Sequence, residues 1–342
     1  MKPLVSFVVP CYNMEKTIGE CLSSIINQNF EKDKIEIIFV DDASKDKSLK
    51  IAKHALGKGK VKYKVLINKK NMKIPFTSNR AVQAASGGLI AYIDSDAILE
   101  KNWLKKTLPE MKDRKVGAVA GFIKTGNPKS LWSRLAGYEL EWRYSQLRSK
   151  YVDHVSTTNT LYRLEALKSA RKNGKYFDES FYYGLDTDMS NRLRAKGWKL
   201  LQLKNVSCLH FWKSTFKSYF KMCFNTAYAR MLLTEKYRKI VIDKITTLRM
   251  LLQVPLMGIL LLSLLSGFLF YSVPLLSMIS FSVAFTSFLF LIFIQISRAL
   301  WVLRVKKDLK LAVMFPFLLQ VRNIAALWAI FIYFLKRNKG RQ

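Results

Sequence analysis

Leu89-Ile90-Ala91-Tyr92-Ile93-Asp94-Ser95-Asp96 is an apolar run closed by two carboxylates one residue apart. Such a run, ending in a polar turn, reads as a buried strand, and paired carboxylates at its mouth can hold a hard divalent cation. Acidic pairs also occur in ordinary solvated turns, so the meaning of this one rests on its surroundings. Val5 to Val9, Ile35 to Val40 and Val61 to Ile67 upstream, and Val116 to Ala120 downstream, also read as strands. Between the first two lies a helix with Ile18, Leu22, Ile25 and Ile26 on one face. Alternation of this kind builds a parallel sheet with right-handed crossovers, whose ligands sit beyond the carboxyl ends of the strands. Three of these ends carry polar signatures: Pro10-Cys11-Tyr12-Asn13, Asp41-Asp42-Ala43-Ser44, and Asp94-Ser95-Asp96. They are expected to converge on one site.

The chain has 342 residues and a net charge of +33, enough for a catalytic domain and a further part. That part begins where charge disappears: Met250 to Ser297 holds no Asp, Glu, Lys or Arg. As a helix the stretch is roughly twice what a hydrocarbon core of about 30 Å requires. Two spans are therefore expected, near Leu251 to Tyr271 and Leu275 to Ser297, reversing at Pro274, where proline removes a backbone donor. A third apolar run, Leu311 to Leu335, carries Gln320, Arg322 and Asn323 at its middle. A central arginine facing lipid costs about 2.5 to 3.5 kcal/mol on insertion scales, so it needs a partner or a watery exit. Arg304, Lys306, Lys307 and Lys310 precede the run, and Lys336, Arg337, Lys339 and Arg341 follow it. The tendency of basic residues to stay cytoplasmic favours a re-entrant or in-plane helix with both ends on that side, a third span being the competing reading. The N-terminus reads as a strand without an export signal. Cys11, Cys21, Cys208 and Cys223 lack metal or disulfide spacing, which fits a reducing compartment.

Beyond Gly121, Leu131 to Ser149 reads as a helix whose Trp132, Tyr138, Trp142 and Tyr144 are expected to pack rather than to rest on a membrane. Thr157 to Arg163 reads as a strand or bend. Gly184-Leu185-Asp186-Thr187-Asp188 leads into a helix that stops at Gly197, so one of the two aspartates is expected to cap its exposed amides. From Lys196 to Arg249 there are twelve Lys and Arg against Glu235 and Asp243, interleaved with aromatics such as Phe216, Tyr219, Phe220 and Phe224. A basic, aromatic-rich helix just before an apolar hairpin reads as one lying along an anionic lipid surface. That position argues against nucleic acid as its partner.

With these residues in view, about residues 3 to 215 resemble the family 2 inverting glycosyltransferases of GT-A fold, particularly members with a membrane-anchored tail. The resemblance is carried by Val5 to Asn13, Ile38 to Asp46, Asn79 with Gly87, Asp94-Ser95-Asp96, and the Gly-x-Asp-Thr-Asp run. It implies an α/β GT-A nucleotide-sugar-binding domain with a mostly parallel sheet over residues 1–215. A basic amphipathic juxtamembrane region at 216–249, a transmembrane hairpin at 250–297 and a third apolar helix with a basic tail at 298–342 complete the organisation.

The resemblance further implies a nucleotide diphosphate sugar as donor, a lipid-linked or growing glycan as acceptor, and Mg2+ or Mn2+ as cofactor. Asp41, with Asp42 assisting, and the Pro10 to Tyr12 backbone are expected at base and ribose. Asp94 is expected at the ribose or the ion, and Asp96 as direct metal ligand. His210 lies where many GT-A enzymes place a histidine near the metal. Asp186 is the expected general base, with Asp188 as fallback. Two departures stand out: Leu185 replaces the first acid of the usual Glu-Asp pair, and Asn71 to Ser78 lacks the glycine and arginine common there. The Gln-x-x-Arg-Trp motif of processive synthases does not occur. An enzyme loading sugar directly onto a polyprenyl (dolichyl) phosphate is the alternative, and a catalytically silent membrane scaffold a further one. The expected location is a multi-pass membrane protein with its catalytic domain in the cytoplasm.

Overall fold

The computed structural model describes residues 4–238 and 248–339. Its chain clusters into two compact units, the first formed by residues up to 127 with 143–211, the second by 128–142 with the residues from 212 on. Residues 128–142 and 212–215, inside the expected 1–215 domain, cluster with the second unit.

The first unit opens with β1 (Val5–Cys11), α1 (Ile18–Ile26), β2 (Ile35–Asp41), α2 (Ser48–Lys58), β3 (Lys62–Ile67), α3 (Ile74–Ala84) and β4 (Leu89–Ile93). β1, β2 and β4 are buried along their whole length, as strands covered on both faces must be. β3 forms the outer edge and is largely exposed. Then follow β5 (Ala97–Leu99), α4 (Trp103–Thr107), β6 (Val116–Thr125), α5 (Leu131–Ser145), β7 (Tyr151–Val152), β8 (Asn159–Arg163), α6 (Leu164–Ser169), α7 (Leu185–Ala195) and β9 (Lys199–His210). The nine-stranded sheet runs β3-β2-β1-β4-β8-β6-β9-β5, with β7 also on β9.

The sheet is mixed rather than purely parallel. β8 is antiparallel to both β4 and β6, and β5 and β7 are antiparallel to β9. No crossover helix separates β7 from β8, so the chain enters β8 beside the carboxyl end of β4, with Asn159 opposite Ile93. That reversal carries the 153–158 segment to the ligand end of the sheet. Gly87, ahead of β4, has no room for a side chain: a Cβ there would lie 2.8 Å from the Ser6 amide nitrogen.

α8 (Phe216–Tyr237), α9 (Leu248–Leu251), α10 (Gln253–Leu269), α11 (Pro274–Trp301) and α12 (Leu309–Lys339) make up the rest. Of the expected juxtamembrane region, residues 239–247 lie outside the described residues, as do 340–342 of the basic tail. α10 and α11 reverse at 270–273 with Pro274 in the first turn of α11, and are joined by the Ser266 and Ser280 hydroxyls at 3.0 Å. Pro274–Lys306 and Leu309–Arg337 are each long and apolar enough to cross a membrane; Gln253–Leu269 is shorter. α12 runs unbroken through Pro316 and so does not turn back on itself.

Within the second unit the polar middle of α12 is provided for. Arg322 pairs with Glu139 of α5, and Gln253 Oε1 accepts from its second guanidinium nitrogen at 2.7 Å. Lys306 pairs with Glu141, and Arg134 with Asp308 at 2.9 Å. Trp132 packs its ring against Phe216 and Tyr219, and Tyr138 joins the buried cluster of Leu135, Leu311, Phe315 and Leu319, so these aromatics of α5 are core.

Candidate active site

The ends of β1 and β2 are tied into one rim. The Asn13 amide donates to Ser44 Oγ at 3.0 Å and the Lys45 amide to Asn13 Oδ1 at 2.8 Å. Asn13 and Ala43 both take left-handed backbone there, φ +53° and +59°. Pro10 lies within β1, and Tyr12, just past the strand, is exposed.

The two aspartates of this rim have different surroundings. Asp42 is spent on the chain itself: Oδ1 accepts from Asn68 Nδ2 and the Met72 amide at 2.7 and 2.8 Å, and Oδ2 from the Lys73 amide at 2.9 Å. Asp41 is 1% exposed; its Oδ2 accepts from the Ser44 amide at 3.0 Å, while no donor among the described residues reaches Oδ1. A buried acceptor left open is costly unless a ligand completes it.

Asp94 and Asp96 follow β4, their backbone fixed by Thr17 Oγ1 on the Ser95 carbonyl at 3.0 Å and by the Phe211 amide on the Asp96 carbonyl. β5 pairs with β9 so that Ala97 faces His210, which brings that histidine to the acidic motif. His210 Nε2 lies 3.3 Å from Asp96 Oδ1, and ligand atoms of Asp94, Asp96 and His210 all fall within 4.8 Å of one another. Burial and the neighbouring Asp96 push the Asp94 carboxyl up to about 6, against the opposing pull of His210 and Thr158. Two crowded carboxylates with an imidazole are a donor set suited to Mg2+ or Mn2+, and the crowding is what a cation there relieves.

Asp186 stands in the first turn of α7, whose entry is shaped by Gly184 at φ +77°. Its Oδ1 accepts from the Thr187 amide at 2.8 Å, and its Oδ2 lies 3.4 Å from His154 Nε2. Burial pushes this carboxyl up, but His154 and the Thr187 amide outweigh it and hold it below its ordinary value. Asp186 is near enough to Asp94 for its charge to raise that group. Asp188 does not cap the helix: it is fully buried and pairs with Arg192 Nε at 2.8 Å, while Arg192 also donates to the Ala170 and Tyr176 carbonyls. Asn79 grips the approach to α7, its side chain bonded to both the amide and the carbonyl of Phe177.

The structure thus gathers Asp94, Asp96 and His210 into one cluster, sets Asp186 near Asp94, leaves Asp41 open, and assigns Asp42 to holding the loop after β3. His154 was missed by sequence reasoning. A lone histidine ahead of a short strand gives no local signal, although it is one of only three in the chain. Cys11, Cys21 and Cys208 are free and buried, and burial first, then Asp41, pushes the Cys11 thiol up to about 12.

The chain matches the family models described as Glycosyl transferase family 2, over residues 6–171, and Glycosyl transferase family group 2, over residues 89–303. An N-acetylglucosaminyltransferase of Bradyrhizobium elkanii is 31% identical over 131 residues, which are 38% of this chain and 71% of that protein. A dolichyl N-acetyl-alpha-D-glucosaminyl phosphate 3-beta-D-2,3-diacetamido-2,3-dideoxy-beta-D-glucuronosyltransferase of Methanococcus voltae is 24% identical over 247 residues, 68% of this chain and 74% of that one. Among solved structures, a mannosyltransferase from Pyrobaculum calidifontis in complex with GDP-Man and Mn2+ shares the fold with a TM-score of 0.54 at 18% identity, covering 69% of this chain and 64% of its own. With a GT-A-like sheet, an Asp-x-Asp cluster at its ligand end and a family match over more than half its length, the chain belongs to glycosyltransferase family 2.

Proposed function

We propose that this enzyme is a membrane-anchored, metal-dependent, inverting glycosyltransferase that passes a sugar from a nucleotide diphosphate sugar to a lipid-linked or growing glycan acceptor at the cytoplasmic face. The observation that carries the reading is a site with two chemically distinct ends: the Asp94, Asp96 and His210 cluster, and Asp186 with its histidine partner.

At the donor end, the open Asp41 Oδ1 accepts a ring N–H of the base, and Tyr12 and the Pro10 to Tyr12 backbone flank base and ribose. Asp42 acts at one remove, by holding the loop that ends at Lys73. Asp94, Asp96 and His210 would hold a divalent cation, which would supply charge neutralisation for the leaving diphosphate. At the other end, ionised Asp186 takes the proton of the acceptor hydroxyl. The acceptor oxygen then bonds to the anomeric carbon on the face opposite the diphosphate, whose bond breaks with its electron pair, and one displacement inverts the centre.

The anchor reading rests on the α10 and α11 hairpin, whose Leu262, Phe268, Leu269, Tyr271, Leu275, Phe285 and Phe293 are all more than half exposed. Apolar surface on that scale calls for lipid. α12 exposes Leu309, Val313, Phe317, Trp328 and Phe331 along one side and buries the other, while Arg322 meets Glu139, so the central arginine is answered within the protein rather than by lipid. Exposed Lys217 and Lys221 on α8 fit an anionic lipid surface. The lipid-linked acceptor draws on the Methanococcus relative, whose name specifies a dolichyl-phosphate-linked sugar.

The test is a panel of UDP- and GDP-sugars hydrolysed by the purified protein in detergent, with and without Mn2+. Metal-dependent hydrolysis of at least one donor is expected, and no turnover of any would sink the reading. Asp186→Asn should bind donor as before and turn over about 100-fold more slowly. Full activity in that variant would point instead to an acceptor that is already an anion, such as a polyprenyl phosphate.

A further inference from the structure

Three successive residues ahead of β8 engage one stripe of α7. Asp153 pairs with Arg194 at 3.3 Å, His154 with Asp186 at 3.4 Å, and Val155 exchanges hydrogen bonds with Ser190, its amide donating to Ser190 Oγ at 3.2 Å and its carbonyl accepting from that hydroxyl. Asp186, Ser190 and Arg194 are four apart, so they share one face of the helix. His154 is thereby fixed to the same helix that carries Asp186. The pair is shielded, the two side chains being 14% and 24% exposed. Such a contact is not screened as a surface pair is.

We propose that His154 is a positioning residue for Asp186, a role that rests on Asp186 being the base. The Thr187 amide holds Oδ1 and the imidazole holds Oδ2, so the carboxylate cannot rotate and one lone pair stays directed to the acceptor hydroxyl. In the transfer step the acceptor O–H bond breaks and its proton goes to that carboxylate. The new C–O bond forms as the bond to diphosphate breaks, and His154 itself neither gains nor loses a bond. Among the described residues, Asp94 at the end of β4, Tyr92 of β4 and Tyr162 of β8 also feel the Asp186 charge. Each of these acts as a neutral or acidic group, and against burial the imidazole is the foremost side chain favouring the ionised base, with the Thr187 amide beside it. Leu185, the residue before Asp186, supplies no second carboxylate to share the task.

The experiment compares His154→Ala, His154→Gln and Asp186→Asn, using hydrolysis by water of whichever donor in the panel turns over fastest. For His154→Ala we expect kcat down about tenfold with donor KM unchanged, because orientation of a base acts on the chemical step. Its kcat should also require higher pH: losing the imidazole lets the Asp186 carboxyl rise, so the acid limb of the profile moves upward. His154→Gln, which keeps an N–H donor, should recover most of the rate. Normal kcat and pH profile in His154→Ala, with Asp186→Asn impaired, would overturn the role of His154 alone. Normal turnover in Asp186→Asn would overturn the base assignment and this inference with it. Loss of donor binding in both His154 variants would mark the residue as packing and likewise overturn the proposal.

Discussion

Three acids of the second unit and those at the ligand end of the first are treated in opposite ways. In the second unit Glu139, Glu141 and Asp308 each meet a cation from the chain: Arg322, Lys306 and Arg134. At the ligand end of the first unit, Asp94 is crowded against Asp96 beside His210, and Asp41 keeps one buried oxygen without a donor among the described residues. A buried carboxylate matched by a basic side chain settles the fold. One set against another carboxylate raises the free energy of the empty protein, a cost that binding of a cation or a base removes. The contrast separates acids that the chain itself neutralises from those proposed to act on a ligand, without reference to sequence motifs.

It can be broken most sharply at Asp96. Asp96→Asn removes a metal charge and leaves the fold its hydrogen-bonding capacity, so metal-dependent hydrolysis should fall about 1000-fold, the several kcal/mol that charge neutralisation contributes. Thermal stability without metal should hold or rise, because Asp94 loses its like-charged neighbour. A variant that melts much earlier yet turns over normally would reverse the assignment. Asp94 adds a pH dependence to the same contrast. Its carboxyl takes up a proton as pH falls through about 6, and metal ligands must be deprotonated. The stabilisation given by Mn2+, read as a shift in Tm, should therefore be full at pH 7.5 and much reduced at pH 5.

The second unit should respond in the opposite sense. Glu139→Gln leaves Arg322 buried without its carboxylate, which typically costs about 3 to 5 kcal/mol, and the protein should unfold at markedly lower denaturant while the donor KM of what remains folded stays normal. Replacing both partners, as Glu139→Leu with Arg322→Met, should restore most of that loss. A double variant as unstable as the single one would show that the pair does more than neutralise itself.

The gathering of acids at the strand ends was legible because its signals are local. An apolar strand, then an aspartate, is readable wherever it falls, and parallel neighbours bring such ends together. The proposed acceptor end was legible only in part: Asp186 could be named, but the His154 beside it depended on β8 entering the sheet antiparallel, which no periodicity announces. Arg322 could be recognised as needing a partner from its apolar neighbours, yet Glu139 lies far back in the chain on α5, a helix that itself reads as part of the catalytic domain. Charge demand is written in the sequence; the group that answers it over a long separation is not.

The smallest test concerns the loop that Asp42 holds. Lys73 has φ +72° and ψ 163°, a backbone region occupied almost solely by glycine, and it stands in the segment that lacks the glycine common in the family. Its amide is held by Asp42 at 2.9 Å and by Asn71 Oδ1 at 3.2 Å, so the surroundings impose the conformation. Lys73→Gly should relieve about 1 kcal/mol of strain, partly offset by the greater freedom of glycine in the unfolded chain, for a small rise in Tm or none. The amine, 5.9 Å from the Tyr182 ring, is lost at the same time. If the lysine serves only the loop, donor KM stays as it was. If KM rises while Tm does not fall, the strain is retained for the side chain's sake, and Lys73 joins the proposed donor end.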